Sequence, residues 1–158
     1  MTLTLLLLTL VTGPALACQM HDGLPDPVCT PGAIDPRITQ QNIARTICVP
    51  GYSQSVRPPL AVTRRLKRER MAAYGLTGSP SAYELDHAIP LALGGCPDCL
   101  ANLWPEPWSG PHNAHDKDRV ENELHRLVCS GRMALAESQG RIVMDWRHAL
   151  DDQSVEGP

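Results

Sequence analysis

An adjacent carboxylate and imidazole, Asp86 and His87, sit in the run Tyr83-Glu84-Leu85-Asp86-His87-Ala88-Ile89-Pro90-Leu91-Ala92-Leu93-Gly94-Gly95, and Asn102-Leu103-Trp104-Pro105 follows it. A carboxylate can hold a divalent cation while an imidazole, with an ordinary pKa of about 6.5, takes a proton from water at working pH. Those are two parts needed to hydrolyse a phosphodiester near neutrality. The pairing carries a geometric demand. Neighbouring strand residues point to opposite faces, so Asp86 and His87 share one site only where the strand ends or bulges. The bland alternatives are a structural His beside an acid and a turn-capping Asp. What weighs against them is the order in which a Gly-Gly loop, Asn102 and a polar helix follow.

Residues 83–88 and 102–104 are short candidate strands, too short for periodicity alone to assign. Residues 105–111 read as a Pro-Gly loop flanked by Trp104 and Trp108. From residue 112 to 129 the pattern is helical: Val120, Leu124, Leu127 and Val128 form an apolar stripe, and Gly131 stands where a helix stop belongs. A last helix is expected over 135–150, with Leu135, Ile142, Val143, Trp146 and Leu150 on one face. Upstream, residues 60–74 have helix-forming composition and Gly75 as a stop. Residues 18–59 read as an irregular Cys/Pro/Gly-rich arm with one short helix, around 39–44. The beginning of the polar helix offers His112, Asn113 and His115 as ligands to an ion on Asp86.

The motif order resembles the HNH, or ββα-metal, endonuclease family, and more closely a group of small secreted HNH-type proteins with ELDHAIPLALGG, NLWPEP and NAHDKD segments. The likeness covers residues 83–129, about a third of the chain, with weaker similarity at Thr46-Ile47-Cys48 and near Arg57-Pro58. It implies an α+β fold: a ββα-metal core with additional helices and a disulfide-tethered irregular N-terminal arm. It implies that His87 is the general base and that Asp86 is the first ligand of one divalent ion (Mg, Mn or Zn). By the same likeness Asn102 ties down the loop carrying the base and does not touch metal. The common family form places a His three residues before a Lys, whereas Ala114 stands three before Lys117. Two readings of the helix ligand therefore stay open. His115 would complete a nitrogen-and-oxygen site. Asn113 would do so with Glu121 holding a metal-bound water, as in the non-specific ββα nucleases; eight helical residues turn about 800°, which leaves those two within about 80° of one another.

The basic run Arg64-Arg65-Leu66-Lys67-Arg68-Glu69-Arg70, with Arg57 upstream, is the one strong positive feature of a chain with formal net charge −3. Bulk charge thus excludes non-specific attraction of polyanions, and any nucleic-acid contact must be local, through Arg57, Arg64, Arg65, Lys67 and Arg68. Lys117 is a further candidate phosphate contact, against the plain reading of a solvated helix residue in the company of Asp118, Arg119 and Glu123. His125 is read as structural. No base-reading element is evident, so low sequence specificity is expected, on DNA ahead of RNA.

At 158 residues the chain allows one domain, spanning 60–150 beside the arm. Residues 1–17 read as an export signal: Leu3 to Val11 is apolar and Ala15-Leu16-Ala17 is a small-x-small cleavage site, although Met1-Thr2 brings no positive charge. A secreted or periplasmic protein with no membrane contact after cleavage is expected, ahead of a lipid-anchored one, and the acidic tail 151–158 is expected to be loose. All six Cys fall after the cut, and an even count in an exported chain reads as disulfides. Sequence leaves fifteen pairings. The family resemblance points to Cys48–Cys129; Cys96-Pro97-Asp98-Cys99 could then close on itself and leave Cys18 with Cys29, or form half a zinc knuckle that lacks a second half. With no Phe, three Trp and three Tyr, the core has few large fillers, a shortage that cross-links offset.

Overall fold

The computed structural model describes residues 17–151, so the expected export signal and tail fall outside it, Ala17 and Asp151 excepted. Its elements are α1 (Tyr52–Val56), α2 (Leu60–Ala73), β1 (Tyr83–His87), β2 (Leu103–Pro107), α3 (Ala114–Cys129) and α4 (Leu135–Asp145). The architecture is α+β, with one antiparallel two-stranded sheet among the described residues.

The strands pair without a bulge, from Tyr83 opposite Pro107 to His87 opposite Leu103. β2 runs further than its sequence suggests, through Pro105 and Pro107. A two-stranded ribbon is all edge, and an edge position tolerates a ring nitrogen that has no N–H to give. Arg70 on α2 fixes the ribbon to that helix: its Nε donates to the Leu103 carbonyl at 2.8 Å and a terminal nitrogen donates to Thr30 Oγ1 at 3.0 Å. This last residue of the basic run is therefore a buried tie. α2 ends where expected, at Gly75, whose φ of +64° suits glycine.

α3 begins at Ala114, two residues later than the pattern suggests, because Asn113 caps it. Asn113 Oδ1 accepts from the His115 N–H at 3.0 Å, and the Asp116 carboxylate accepts from the Asn113 N–H at 3.2 Å. Leu124, Leu127 and Val128 from α3, Leu135 and Ile142 from α4, and Ile89 and Leu93 from the loop after β1 build the main core. α4 stops at Asp145, short of the expected residue 150. The Asp145 carboxylate takes the Arg147 N–H at 3.1 Å and begins a separate turn over Trp146–His148, which still delivers Trp146 to the core. The short helix expected near 39–44 is a set of turns with one 3-10 turn at Ile43–Arg45, and α1 is a helix that no periodicity announced.

The arm is part of the fold. Cys96 N donates to the Ala33 carbonyl at 2.8 Å, Gly32 N to Ala101 O at 2.9 Å and Asp35 N to Gly94 O at 2.8 Å, so residues 32–35 line the loop between the strands. All six Cys are paired as Cys18–Cys29, Cys48–Cys129 and Cys96–Cys99, with Cα separations of 5.9, 5.5 and 5.6 Å. Cys48–Cys129 anchors the arm to the end of α3, and Cys18–Cys29 closes a loop within the arm. No helix among the described residues is long and apolar enough to cross a membrane.

Candidate active site

His87 closes β1 and is buried, 5% exposed. Its Nε2 lies 3.1 Å from the Pro97 carbonyl oxygen. A carbonyl only accepts, so Nε2 carries the proton and the neutral ring keeps a bare lone pair on Nδ1. Burial holds the imidazole below its ordinary pKa, against the pull of Asp86, and the charges of Arg57 and Lys117 act the same way as burial. An oriented, neutral imidazole is the form a general base requires.

The carbonyl that orients it is itself held. Pro97 lies inside the ring closed by Cys96–Cys99. Asn102, fully buried, accepts at Oδ1 from the N–H of Ile89 (2.9 Å) and of Ala33 (3.2 Å), and its Nδ2 donates to the carbonyls of Ile89 and Cys96, both at 3.0 Å. Strand end, loop and arm meet on one amide. The Gly-Gly pair makes this approach possible: a Cβ on Gly95 would lie 1.8 Å from the Ile89 carbonyl oxygen.

Beside His87 opens a cavity of about 700 Å³ between α2 and β1, lined by Arg57, Thr63, Arg64, Lys67, Tyr83 and Trp108, among others. Lys67 Nζ donates to the Tyr83 carbonyl at 2.6 Å, which stations the ammonium at the wall with donors to spare. Arg65 and Arg68 are exposed and do not line this space.

Asp86 lies in a different environment, as an unbroken strand requires. Its Oδ2 accepts from Lys117 Nζ at 2.5 Å; that ammonium also donates to the His87 main-chain carbonyl at 2.9 Å and to Glu121 Oε1. Glu106, cross-strand from Glu84, shares this face and is fully buried. Oxygens of Glu84, Asp86 and Glu106 lie within 4.8 Å of one another. Burial pushes Asp86 up, but Lys117 first, then the Glu106 carboxyl and His87, bring it below the carboxylate range. Glu106 moves the other way, raised by burial and then by Asp86. Neither Glu106 oxygen finds a donor, so the residue persists as a neutral carboxyl whose O–H can turn to Asp86. Burial likewise raises Glu84 and Glu121, each to about 7.

These shifts set a pH dependence of stability. Above its ordinary value of 4.5, unfolded Glu106 has lost the proton that the folded chain keeps. The stability it contributes is complete below that value and is lost progressively as pH rises toward its raised folded value. His87 works oppositely, but only below its ordinary 6.5. The thermal midpoint is therefore expected to rise as pH falls from about 9 to about 7, and Glu106→Gln to flatten that slope. An equal slope in both proteins, followed by differential scanning calorimetry, would reject the assignment.

The ligands expected to join Asp86 are not gathered beside it. Asn113 spends its side chain on the cap and on the Gly110 carbonyl, at 2.9 Å. His115 is exposed, its ring 5.3 Å from that of Trp108. His112, at φ +51°, faces Asp22 at 3.7 Å and the edge of Trp146. Glu121 does reach Asp86, with Lys117 between them. Lys117, expected as a phosphate contact, is 1% exposed with three donors spent on protein oxygens, so it meets no phosphate. The set of Asp86 with a helix-borne Asn or His thus does not fit a divalent ion. The two Cys-containing groups do not supply one either, since the sulfurs beside His125 and Asp98 are in disulfides, and among the described residues the group that could hold an ion is Glu84, Asp86 and Glu106. His125 serves structure, its Nε2 2.8 Å from the Ile47 carbonyl. Glu106, Glu84 and the Pro97 carbonyl escaped sequence reasoning; the cross-strand register alone could have paired Glu84 with Glu106. Set against known proteins, the chain matches no family model, no curated protein and no solved structure.

Proposed function

We propose that this protein is an exported hydrolase of phosphodiester bonds in nucleic acid, of low sequence specificity, working from the cavity between α2 and β1. The observation that carries the reading is a single one: a buried neutral imidazole, locked through Nε2 to Pro97, opens onto a space lined by Arg57, Arg64 and Lys67. Base and phosphate-holding cations share one compartment. In the reaction, His87 Nδ1 takes a proton from water as its oxygen bonds phosphorus. The bond to the departing sugar oxygen breaks, and that oxygen is protonated from solvent. Arg57, Arg64 and Lys67 hold the non-bridging oxygens and the charge that builds on them. The resemblance to ββα-metal nucleases supports the substrate class, and three disulfides are in keeping with export. Charge stabilisation is assigned to the cavity cations and not to a divalent ion on Asp86, because that ion's expected ligands are engaged elsewhere.

A second reading, a disulfide-stabilised HNH-like binding or structural module without turnover, is favoured by one observation: the acid of the Asp-His pair is consumed by Lys117. Incubating the oxidised chain with plasmid DNA and with single-stranded RNA separates these. Cleavage that persists in EDTA is expected, with Arg57→Ala/Arg64→Ala raising KM and reducing the salt dependence by about two counterions. Binding without cleavage would give the second reading. Cleavage lost in EDTA and restored by Mg²⁺ would return the charge-stabilising role to an ion.

A further inference from the structure

Fully burying an ammonium is rare, because a long cationic side chain must leave water and every donor must be matched. Lys117 meets both conditions on the first turn of α3. Its three N–H donors go to three oxygens, Asp86 Oδ2 at 2.5 Å, the His87 carbonyl at 2.9 Å and Glu121 Oε1. An all-oxygen cage, mostly anionic, is the surrounding a hard cation takes. Glu84 and Glu106 add further carboxyl groups, one of them fully buried with neither oxygen supplied by a donor. One turn earlier on the same helix face stands Ala114, 1% exposed, whose methyl has nothing to offer an ion. The neighbouring Asn113 is committed to the cap.

We propose that the ammonium of Lys117 is the resident cation of this carboxylate cluster, built into the chain in the place where the family likeness calls for a divalent ion. The arrangement is coherent as a set. With alanine at position 114, Asp86 takes its positive charge from Lys117, which reaches back from one turn further along, and Glu121, four residues on, pairs with the same ammonium. Nζ also grips the main-chain oxygen of His87, so the cation ties α3 to the strand end that carries the base. Lys117 is thus a positioning residue, acting on His87 through the backbone. A divalent ion drawn to Asp86 Oδ2 would have to displace a tethered charge already bonded at three points.

The decisive experiment reads metal binding, not cleavage, so it stands or falls apart from the hydrolase reading. Oxidised full-length protein, stripped with EDTA, is titrated with Mn²⁺ by calorimetry and by electron paramagnetic resonance of the free ion, with the thermal midpoint followed in parallel. Wild type is expected to bind no stoichiometric Mn²⁺ that depends on Asp86, and its midpoint to stay unchanged. Lys117→Ala empties the cage and is expected to gain one Mn²⁺ per chain, its midpoint climbing with Mn²⁺ concentration as mass action requires. Asp86→Asn in that background should abolish the gain. If Lys117→Ala is unfolded without metal, recovery of the fold on adding Mn²⁺ is the same gain, and the neutral, hydrogen-bonding Lys117→Gln gives a second folded test. A lysine that merely braces the helix would bring no such gain. Stoichiometric Mn²⁺ in wild type that disappears in Asp86→Asn would overturn the proposal, as would folded Lys117 variants that bind none.

Discussion

His87→Ala is expected to lower kcat for nucleic-acid cleavage by about 10²–10⁴-fold, the range over which a positioned general base contributes. The variant also empties a buried site and leaves the Pro97 carbonyl without its donor, so some loss of stability accompanies it. His87→Gln separates the two effects. Its side-chain amide can donate to Pro97 as Nε2–H does, yet it has no lone pair basic enough to accept a proton from water. Both variants should lose kcat to that extent, with the Gln protein keeping the wild-type melting midpoint. The pH profile supplies a further check. Burial first, then Arg57 and Lys117, hold the imidazole below its ordinary 6.5, so wild-type kcat/KM should rise with pH through a midpoint below that value. A rate that climbs only above neutrality, or a His87→Gln protein that still cuts, would remove His87 from the role of base.

The sequence showed the site residue by residue but not face by face. Asp86-His87, Asn102 and the Gly-Gly pair were conspicuous, and α2 and α3 were traceable from their stops and stripe. What alternation could only pose as a question was whether acid and base converge. The unbroken register from Tyr83 opposite Pro107 to His87 opposite Leu103 answers it by sending them to opposite sides. Lys117 reads as a phosphate contact or a solvated helix residue, both facing outward, because its neighbours Asp118, Arg119 and Glu123 are charged. Nothing in helical periodicity distinguishes an ammonium facing water from one facing a carboxylate on another element. The Pro97 carbonyl, being main chain, leaves no mark in residue type at all. The pairing of the cysteines came from family likeness, since composition fixed only that their number is even. The helix break at Asp145 was hidden because Trp146 and Leu150 continue the apolar spacing past it.

The same separation of faces makes Asn102 the residue on which the base depends most. Asn102→Ala would strand four main-chain groups at once: the N–H groups of Ile89 and Ala33 and the carbonyls of Ile89 and Cys96. Each buried group left unpaired costs about 1–3 kcal/mol, and some will find water as the loop loosens, so a net loss of about 3–5 kcal/mol is expected. Asn102→Asp offers no relief, because a carboxylate keeps the acceptor but cannot donate to two carbonyls, and it brings an unpaired charge into a fully buried position. Denaturant unfolding of the oxidised protein measures the loss; a value under about 1 kcal/mol would mean the four bonds are not holding the loop. Catalysis should suffer beyond the unfolded fraction. Cys96 and Pro97 are adjacent, so freeing one carbonyl lets the other drift from Nε2, and His87 then samples both tautomers instead of the one that leaves Nδ1 bare. Cleavage measured well below the midpoint, with the folded fraction taken into account, should therefore still fall short of wild type, and most of that deficit should lie in kcat, because the proposed substrate contacts, Arg57, Arg64 and Lys67, stand on α2 and the segment before it.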